Sequence, residues 1–188
     1  MPESVKKILE EKRRAPRKQL VEFNRRRTQS IQIENKKVLK DAASEIKNIS
    51  RYELLLIGAA LYWAEGYNKQ EGRVHSPYLS FGNSNPGMVN LFIHFLKEAM
   101  QTPMEKMRPF VQIHNNIDAE SAITFWAKIC NIPKERFRVT HQISRASKGR
   151  RPHNSLPYGT FKLDVSGRQN FFKVKGWIDG IIKNSTAE

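Results

Sequence analysis

Hydrophobic and polar residues follow a different pattern in each part of the chain, and the clearest block lies at residues 50–66. This block is almost wholly apolar between its ends, which predicts a helix buried on every side, because a surface helix keeps a polar side. Ser50 and Glu53 have the spacing of a capping box at its start. Gly66 is expected in the left-handed conformation that ends many helices. The apolar run reaches only about 20 Å, which is too short to cross a bilayer.

On the C-terminal side of this block, segments with the periodicity of strands alternate with segments with the periodicity of helices. Strands are predicted at 78–81, 110–114, 137–143 and 159–165, and helices are predicted to open at 84–86 and to cover 118–130 and 168–183. Pro86 at a first helical position and Asp118 as an N-cap support two of these helix starts. The last two strands are expected to pair with each other. Aromatic residues of the last helix, Phe171, Phe172 and Trp177, are expected in the core. The order of elements predicts one compact α+β domain.

The first 48 residues have a different character, because they lack glycine and are rich in lysine and arginine. We predict two charged helices that break near Pro16, since an interior proline removes a helical hydrogen bond and clashes with the preceding turn. Basic clusters such as Arg25-Arg26-Arg27 favour an arm that lies along a nucleic-acid backbone; a solvated or coiled-coil helix is the alternative. The expected organisation is an arm at 1–48, a domain at 49–184 and a tail at 185–188.

The amino-acid composition indicates that the protein binds a polyanion. The formal net charge is +15 over 188 residues and the pI is about 10.1, a balance that attracts phosphate. A second basic block at 136–152 contains no carboxylate and joins the last two predicted strands. Arginine can read guanine, glutamine can read adenine, and a basic loop can hold phosphates. The candidate DNA contacts are Arg136, Arg138, Gln142, Arg145, Lys148, Arg150 and Arg151. The alternative is a polar sheet face with a mobile loop.

A carboxylate ends the apolar helix, in a position that stability does not favour. Glu65 lies in the last turn, where the helix macrodipole makes a negative charge cost about 0.3 to 1 kcal/mol. A divalent cation would reverse that preference. Small residues in the same helix permit close approach of another helix. The candidate helix-pairing residues are Gly58, Ala60, Ala64 and Gly66.

Residues 58–66, read as Gly-Ala-Ala-Leu-Tyr-Trp-Ala-Glu-Gly, resemble the signature of the LAGLIDADG homing endonucleases, with Ala60 where the motif has its inner glycine. The resemblance is strongest here and extends loosely over about residues 50 to 183, through the segments 82–86, 156–159 and 176–180. It implies two signature helices that pair at a pseudo-dyad and deliver Glu65 to Mg²⁺ at the scissile phosphates. Because one convincing signature is present, it implies a homodimer of the free-standing prokaryotic type. The predicted helix at 118–130 departs from the simplest α-β-β-α-β-β-α order.

Two functions fit these features. The first is a Mg²⁺-dependent, site-specific double-strand DNA endonuclease, in which Lys162 would stabilise charge on the phosphate. The second is a non-cleaving transcriptional regulator with the same fold. RNA binding uses the same charge and stays open.

Other chemistries find little support in the sequence. Cys130 is the single cysteine and lies in an apolar helix, so we expect it to be a small buried residue. The five histidines lack metal-ligand spacing, which argues against a zinc finger. A solitary thiol and the lack of a secretory signal predict a cytoplasmic, nucleoid-associated protein without membrane contact.

Overall fold

The chain divides into two compact units, Met1–Ile49 and Ser50–Glu188, and each is described by itself. A computed structural model describes residues 3–67, 77–141 and 156–185, with the side chains of 10–16 left aside.

The first unit is one long helix, α1, which runs from Glu3 to Glu45 without a break. The predicted interruption near Pro16 is therefore wrong. The lost hydrogen bond costs a helix about 3 kcal/mol, but this stretch has no glycine and many strong helix formers, which favour continuation on both sides. The described side chains of α1 are all exposed. Glu22 accepts a hydrogen bond from Arg26 Nε at 3.1 Å, a local pair that offsets part of the positive charge.

The second unit contains helices and strands in mixed order, which confirms the α+β class. Its elements are α2 (Arg51–Glu65), β1 (Leu79–Asn83), α3 (Pro86–His94) with a π-helical turn at Phe95–Ala99, β2 (Met107–Ile113), α4 (Ala119–Cys130), β3 (Arg138–His141), β4 (Thr160–Val165) and α5 (Arg168–Ser185). Short 3₁₀ turns at Met104–Lys106 and Lys134–Arg136 precede β2 and β3. Asn85 and Asp118 cap α3 and α4 by accepting backbone hydrogen bonds from Met88 and Ser121.

The four described strands form one mixed sheet in the order β1-β4-β2-β3. Strand β4 is antiparallel to both β1 and β2, whereas β3 is parallel to β2. The predicted pairing of the last two strands is therefore wrong. Helix α4 provides the crossover that a parallel β2–β3 pair requires. Strand β4, with its buried Phe161, Leu163 and Val165, takes a central position, and the largely exposed β3 lies at the edge.

The core lies on one face of this sheet. Phe81 of β1 stacks on Phe92 of α3 with ring centroids 4.0 Å apart. On α5, Phe171 is fully buried and Trp177 packs partly against the core, as predicted. Phe172 is 47 % exposed, so its predicted burial is wrong. It follows Phe171 directly, and consecutive helical residues point in directions about 100° apart.

Two glycines in helices allow a matched test of packing. A Cβ on Gly58 would overlap the ring of Phe95, whereas a Cβ on Gly176 of α5 would meet no atom within 4 Å. Gly58→Ala should lower the free energy of unfolding by about 1–3 kcal/mol through overpacking. Gly176→Ala should raise it by about 0.5–1 kcal/mol because alanine loses less entropy in a helix. Urea denaturation measures both, and a stabilising Gly58→Ala would contradict the packing described.

Candidate nucleic-acid interface

Helix α2 begins at a complete capping box. Ser50 Oγ accepts a hydrogen bond from the Glu53 backbone N–H at 3.2 Å, and Glu53 Oε2 accepts one from the Ser50 N–H at 2.6 Å. Hydrogen bonding of the Glu53 carboxyl to the Ser50 side chain, and then to the Ser50 backbone N–H, lowers the pKa of that carboxyl. The start of α2 is therefore fixed locally, as its sequence predicted.

The other end of α2 is tied to the sheet. Gly66 has extended backbone angles, φ −78° and ψ 154°, so the predicted left-handed conformation is wrong. Glycine is required here for space instead, because a Cβ would overlap Tyr62. Gly66 forms an antiparallel bridge with Phe81, and the Tyr67 N–H donates to the Ser80 carbonyl at 2.8 Å. These contacts hold the end of α2 against the outer edge of β1.

Tyr62 packs against the contact between the end of α2 and β1. Its ring is fully buried, and its hydroxyl donates a hydrogen bond to the Tyr67 carbonyl at 3.3 Å. Burial raises the pKa of the Tyr62 hydroxyl to about 12, so this side chain stays neutral and is structural. Glu65, between these contacts, is exposed.

Helix α2 is buried on one side only, so its predicted burial on every side is wrong. The buried residues are Leu54, Gly58, Ala59 and Tyr62. Gly58 contacts Phe95 and Gly66 contacts Tyr62, both within the same chain. Ala60 and Ala64 are exposed. Of the four candidate helix-pairing residues, these two alanines alone lie on the outer side of α2.

The sheet turns a second, polar surface away from the core, which we call the free face. It consists of Ser80 and Gly82 on β1, Thr160, Lys162 and Asp164 on β4, Arg108, Phe110 and Gln112 on β2, and Arg138 and Thr140 on β3. None of these residues is fully buried. The strand register aligns Gly82, Lys162, Phe110 and Arg138 in one row across all four strands.

Lys162 lies close to the strand that anchors α2. A Cβ built on Gly82 would lie 3.3 Å from Lys162 Cγ and 3.9 Å from its Cε, so the lysine stem extends over Gly82. The Lys162 side chain, which comes from β4, therefore lies over β1 on the free face. The end of α2 lies against the outer edge of the same strand. The two candidate catalytic residues, Glu65 and Lys162, are therefore both close to β1.

Arg136 and Arg138 occupy different environments although both were predicted to contact DNA. The Arg136 guanidinium donates to the carbonyls of Met104 at 2.7 Å and Met107 at 3.1 Å, and its Nε is buried without a hydrogen-bond partner among the described residues. It therefore holds two turns of the chain together. Arg138 is exposed on the free face. The other predicted DNA contacts, Gln142, Arg145, Lys148, Arg150 and Arg151, lie outside the described residues.

Sequence analysis missed the pocket at one end of the free face. It has a volume of about 530 Å³ and is lined by Pro77, Tyr78, Arg108, Asp164, Ser166, Gly167 and Arg168. Arg108 stands opposite Asp164 in the antiparallel register. The alternation of Arg108, Phe110 and Gln112 with apolar residues along β2 indicates that these three side chains share one face of the strand. The residues that stand opposite them on the next strand depend on the strand register, which the sequence does not specify.

Glu65 is the candidate metal ligand that the sequence predicted, and it is exposed at the end of α2. Magnesium commonly binds through one or two carboxylates together with waters and phosphate oxygens, so a single exposed carboxylate such as Glu65 can contribute. Within the described ranges, no group of three or more His, Cys, Asp or Glu side chains could hold a metal ion alone. Cys130 is buried, which confirms its predicted place as a small core residue. Burial raises the pKa of its thiol to about 12, so this side chain is a poor ligand.

No protein-family model, curated protein or solved structure matches this chain. None of the helices in the described part of the chain is long and apolar enough to cross a membrane. The class of protein is therefore inferred from α2 and the free face.

Arg136 and Arg138 should respond differently to the same substitution. Arg136→Gln removes the partners of two carbonyls and should lower the free energy of unfolding by about 1–3 kcal/mol. Arg138→Gln changes an exposed side chain and should alter it by less than about 0.5 kcal/mol. Thermal or urea unfolding of the two variants provides the comparison. Equal losses of stability would contradict the separate roles assigned to these arginines.

Proposed function

We propose that this protein is a DNA-binding protein similar to the LAGLIDADG homing endonucleases, acting as a homodimeric, Mg²⁺-dependent, site-specific endonuclease on double-stranded DNA. One observation carries the proposal. An exposed carboxylate, Glu65, ends a helix whose outer side is apolar, and that end is joined to the edge of a sheet with a polar free face.

The dimensions and charge of the free face suit a duplex. Four strands at the usual spacing of about 4.8 Å make a row about 14 Å across, so its inner strands could face a major groove about 12 Å wide while the outer strands lie over the two backbones. Lys162 and Arg138 are exposed in that row, and Arg108 is exposed beside it. Gln112 and Thr140 add hydrogen-bonding groups for base edges. The net charge of +15 favours association with phosphate.

The outer side of α2 supports the homodimer. Tyr52, Leu56, Ala60 and Ala64 recur at intervals of four residues, and Tyr52 is 69 % exposed. Residues four apart lie on neighbouring turns of a helix, and the two alanines permit a close backbone approach. A second copy packed against this side would bury the apolar residues and bring two Glu65 carboxylates together. A two-fold dimer predicts a near-palindromic target.

The two candidate catalytic residues have complementary roles in phosphodiester hydrolysis. The Glu65 carboxylate would hold the cation against the backbone of the duplex. Bound Mg²⁺ neutralises phosphate charge and lowers the pKa of a coordinated water. Lys162 would donate a hydrogen bond to a phosphate oxygen and stabilise the charge that develops there. The bridge between Gly66 and Phe81 of β1 would hold the backbone at Glu65 at a constant position relative to the free face.

A non-cleaving transcriptional regulator is the second candidate. The observation that favours it is α1, an exposed helix of 43 residues that carries many basic side chains and is suited to phosphate contacts. A regulator would use the same free face and the same dimer without cleavage.

Glu65→Gln separates binding from cleavage because it keeps the size of the side chain and removes its charge. Cleavage of DNA in Mg²⁺ should fall about 100-fold or more, the scale of losing a pre-organised electrostatic group, while affinity in Ca²⁺ stays unchanged. Glu98→Gln, at an exposed acid elsewhere in the unit, is the matched control and should cleave normally. Wild-type protein that binds duplex DNA and never cuts it would support the regulator, and full cleavage by Glu65→Gln would remove Glu65 from the mechanism.

Ala60→Leu combined with Ala64→Leu tests the helix pair. The added side chains should hold two α2 helices apart and raise the dimer dissociation constant about 10- to 100-fold, as expected for overpacking of an interface. Ala43→Leu makes the same change at an exposed position of α1 and should leave the constant unaltered. Sedimentation equilibrium gives the constants. A monomeric wild-type protein, or a double variant that dimerises normally, would contradict pairing through this side of α2.

A further inference from the structure

We propose that Phe110 forms a contact site for the methyl group of thymine in the major groove of duplex DNA. This inference rests on the proposed DNA-binding function and adds a residue that determines base preference.

Phe110 is an apolar side chain in a polar setting. The other described members of the free face are charged or polar residues and one glycine. Phe110 is partly buried, and among the described residues it is not one of the hydrophobic side chains that form the core or pack against it. This phenylalanine therefore lies apart from the described core, on the opposite face of the sheet.

Its position in the sheet is central. Phe110 lies on β2, and its register partners are Lys162 on β4 and Arg138 on β3. Both neighbours are exposed. An aromatic side chain thus lies between two cations in one row, and the cationic groups have the reach to contact phosphates or guanine on either side.

The chemistry of the major groove identifies the group that Phe110 would meet. The methyl group at C5 of thymine is the apolar feature that base pairs present there, and phenylalanine is one of the side chains that contact it. The row is about 14 Å across and the groove is about 12 Å wide, so the two inner positions of the row would face base edges and its ends would lie beside the two backbones. Phe110 and Lys162 are the two inner members of that row.

Two duplexes that differ only by this methyl group provide the test. The probes are a duplex of alternating dA and dT and the same duplex with dU in place of dT, with affinities measured by fluorescence anisotropy in Ca²⁺. Wild-type protein should bind the thymine duplex about fourfold more tightly for each Phe110 in contact, or about 16-fold for a dimer that places both copies, the value expected for burying one methyl group per copy. Phe110→Ala should bind both duplexes equally, and Phe110→Leu, which stays apolar, should keep a preference for thymine. Circular dichroism establishes that each variant is folded.

Lys162→Gln is the control, because it should weaken binding to both duplexes by the same factor and leave the preference intact. Equal wild-type affinities, or a thymine preference that survives in Phe110→Ala, would overturn the role of Phe110 while leaving DNA binding in place. Binding to neither duplex would overturn the proposed function together with this inference. A preference confined to single-stranded oligonucleotides would show base stacking instead of a groove contact and would also overturn it.

Discussion

The junction between the end of α2 and the outer edge of β1 is the constraint on which the rest of the site depends. Gly66 bridges Phe81, and the Tyr67 N–H donates to the Ser80 carbonyl, so the helix passes directly into contact with the sheet. Tyr62 fills the space beneath, where any residue larger than glycine at position 66 would collide with it. Because a helix and a strand meet at this junction, the backbone at Glu65 has a defined place relative to the free face.

Helix α2 has two apolar sides with different uses. One side, with Gly58 against Phe95, completes the core of the α+β unit. The other side exposes Ala60 and Ala64, whose small size suits a second helix. Apolar composition alone does not show which sides of a helix the rest of the chain covers, which explains why the sequence predicted a helix enclosed on every side. In the proposed dimer, the second copy would supply the missing cover.

The helix caps were predicted correctly, whereas the pairing of the strands was not. The capping box at Ser50 and the caps at Asn85 and Asp118 depend on side chains within three residues, and the structure contains all of them. The neighbours of β4 depend on contacts far apart in sequence, and alternation of polar and apolar residues does not specify a partner strand. The place of Phe110 on the free face depends on the same register. The left-handed conformation predicted for Gly66 is wrong because close packing against Tyr62, and not backbone conformation, requires glycine there.

The most direct test of the account is recovery of bound and cut fragments from a randomised double-stranded DNA library, with purified protein in Mg²⁺ and, separately, in Ca²⁺. A homodimeric Mg²⁺-dependent endonuclease should cut at a recurrent near-palindrome in Mg²⁺ and enrich the same sequence as uncut fragments in Ca²⁺. Enrichment of no duplex sequence under either metal would contradict the assignment of α2 and the free face as a DNA-recognition site.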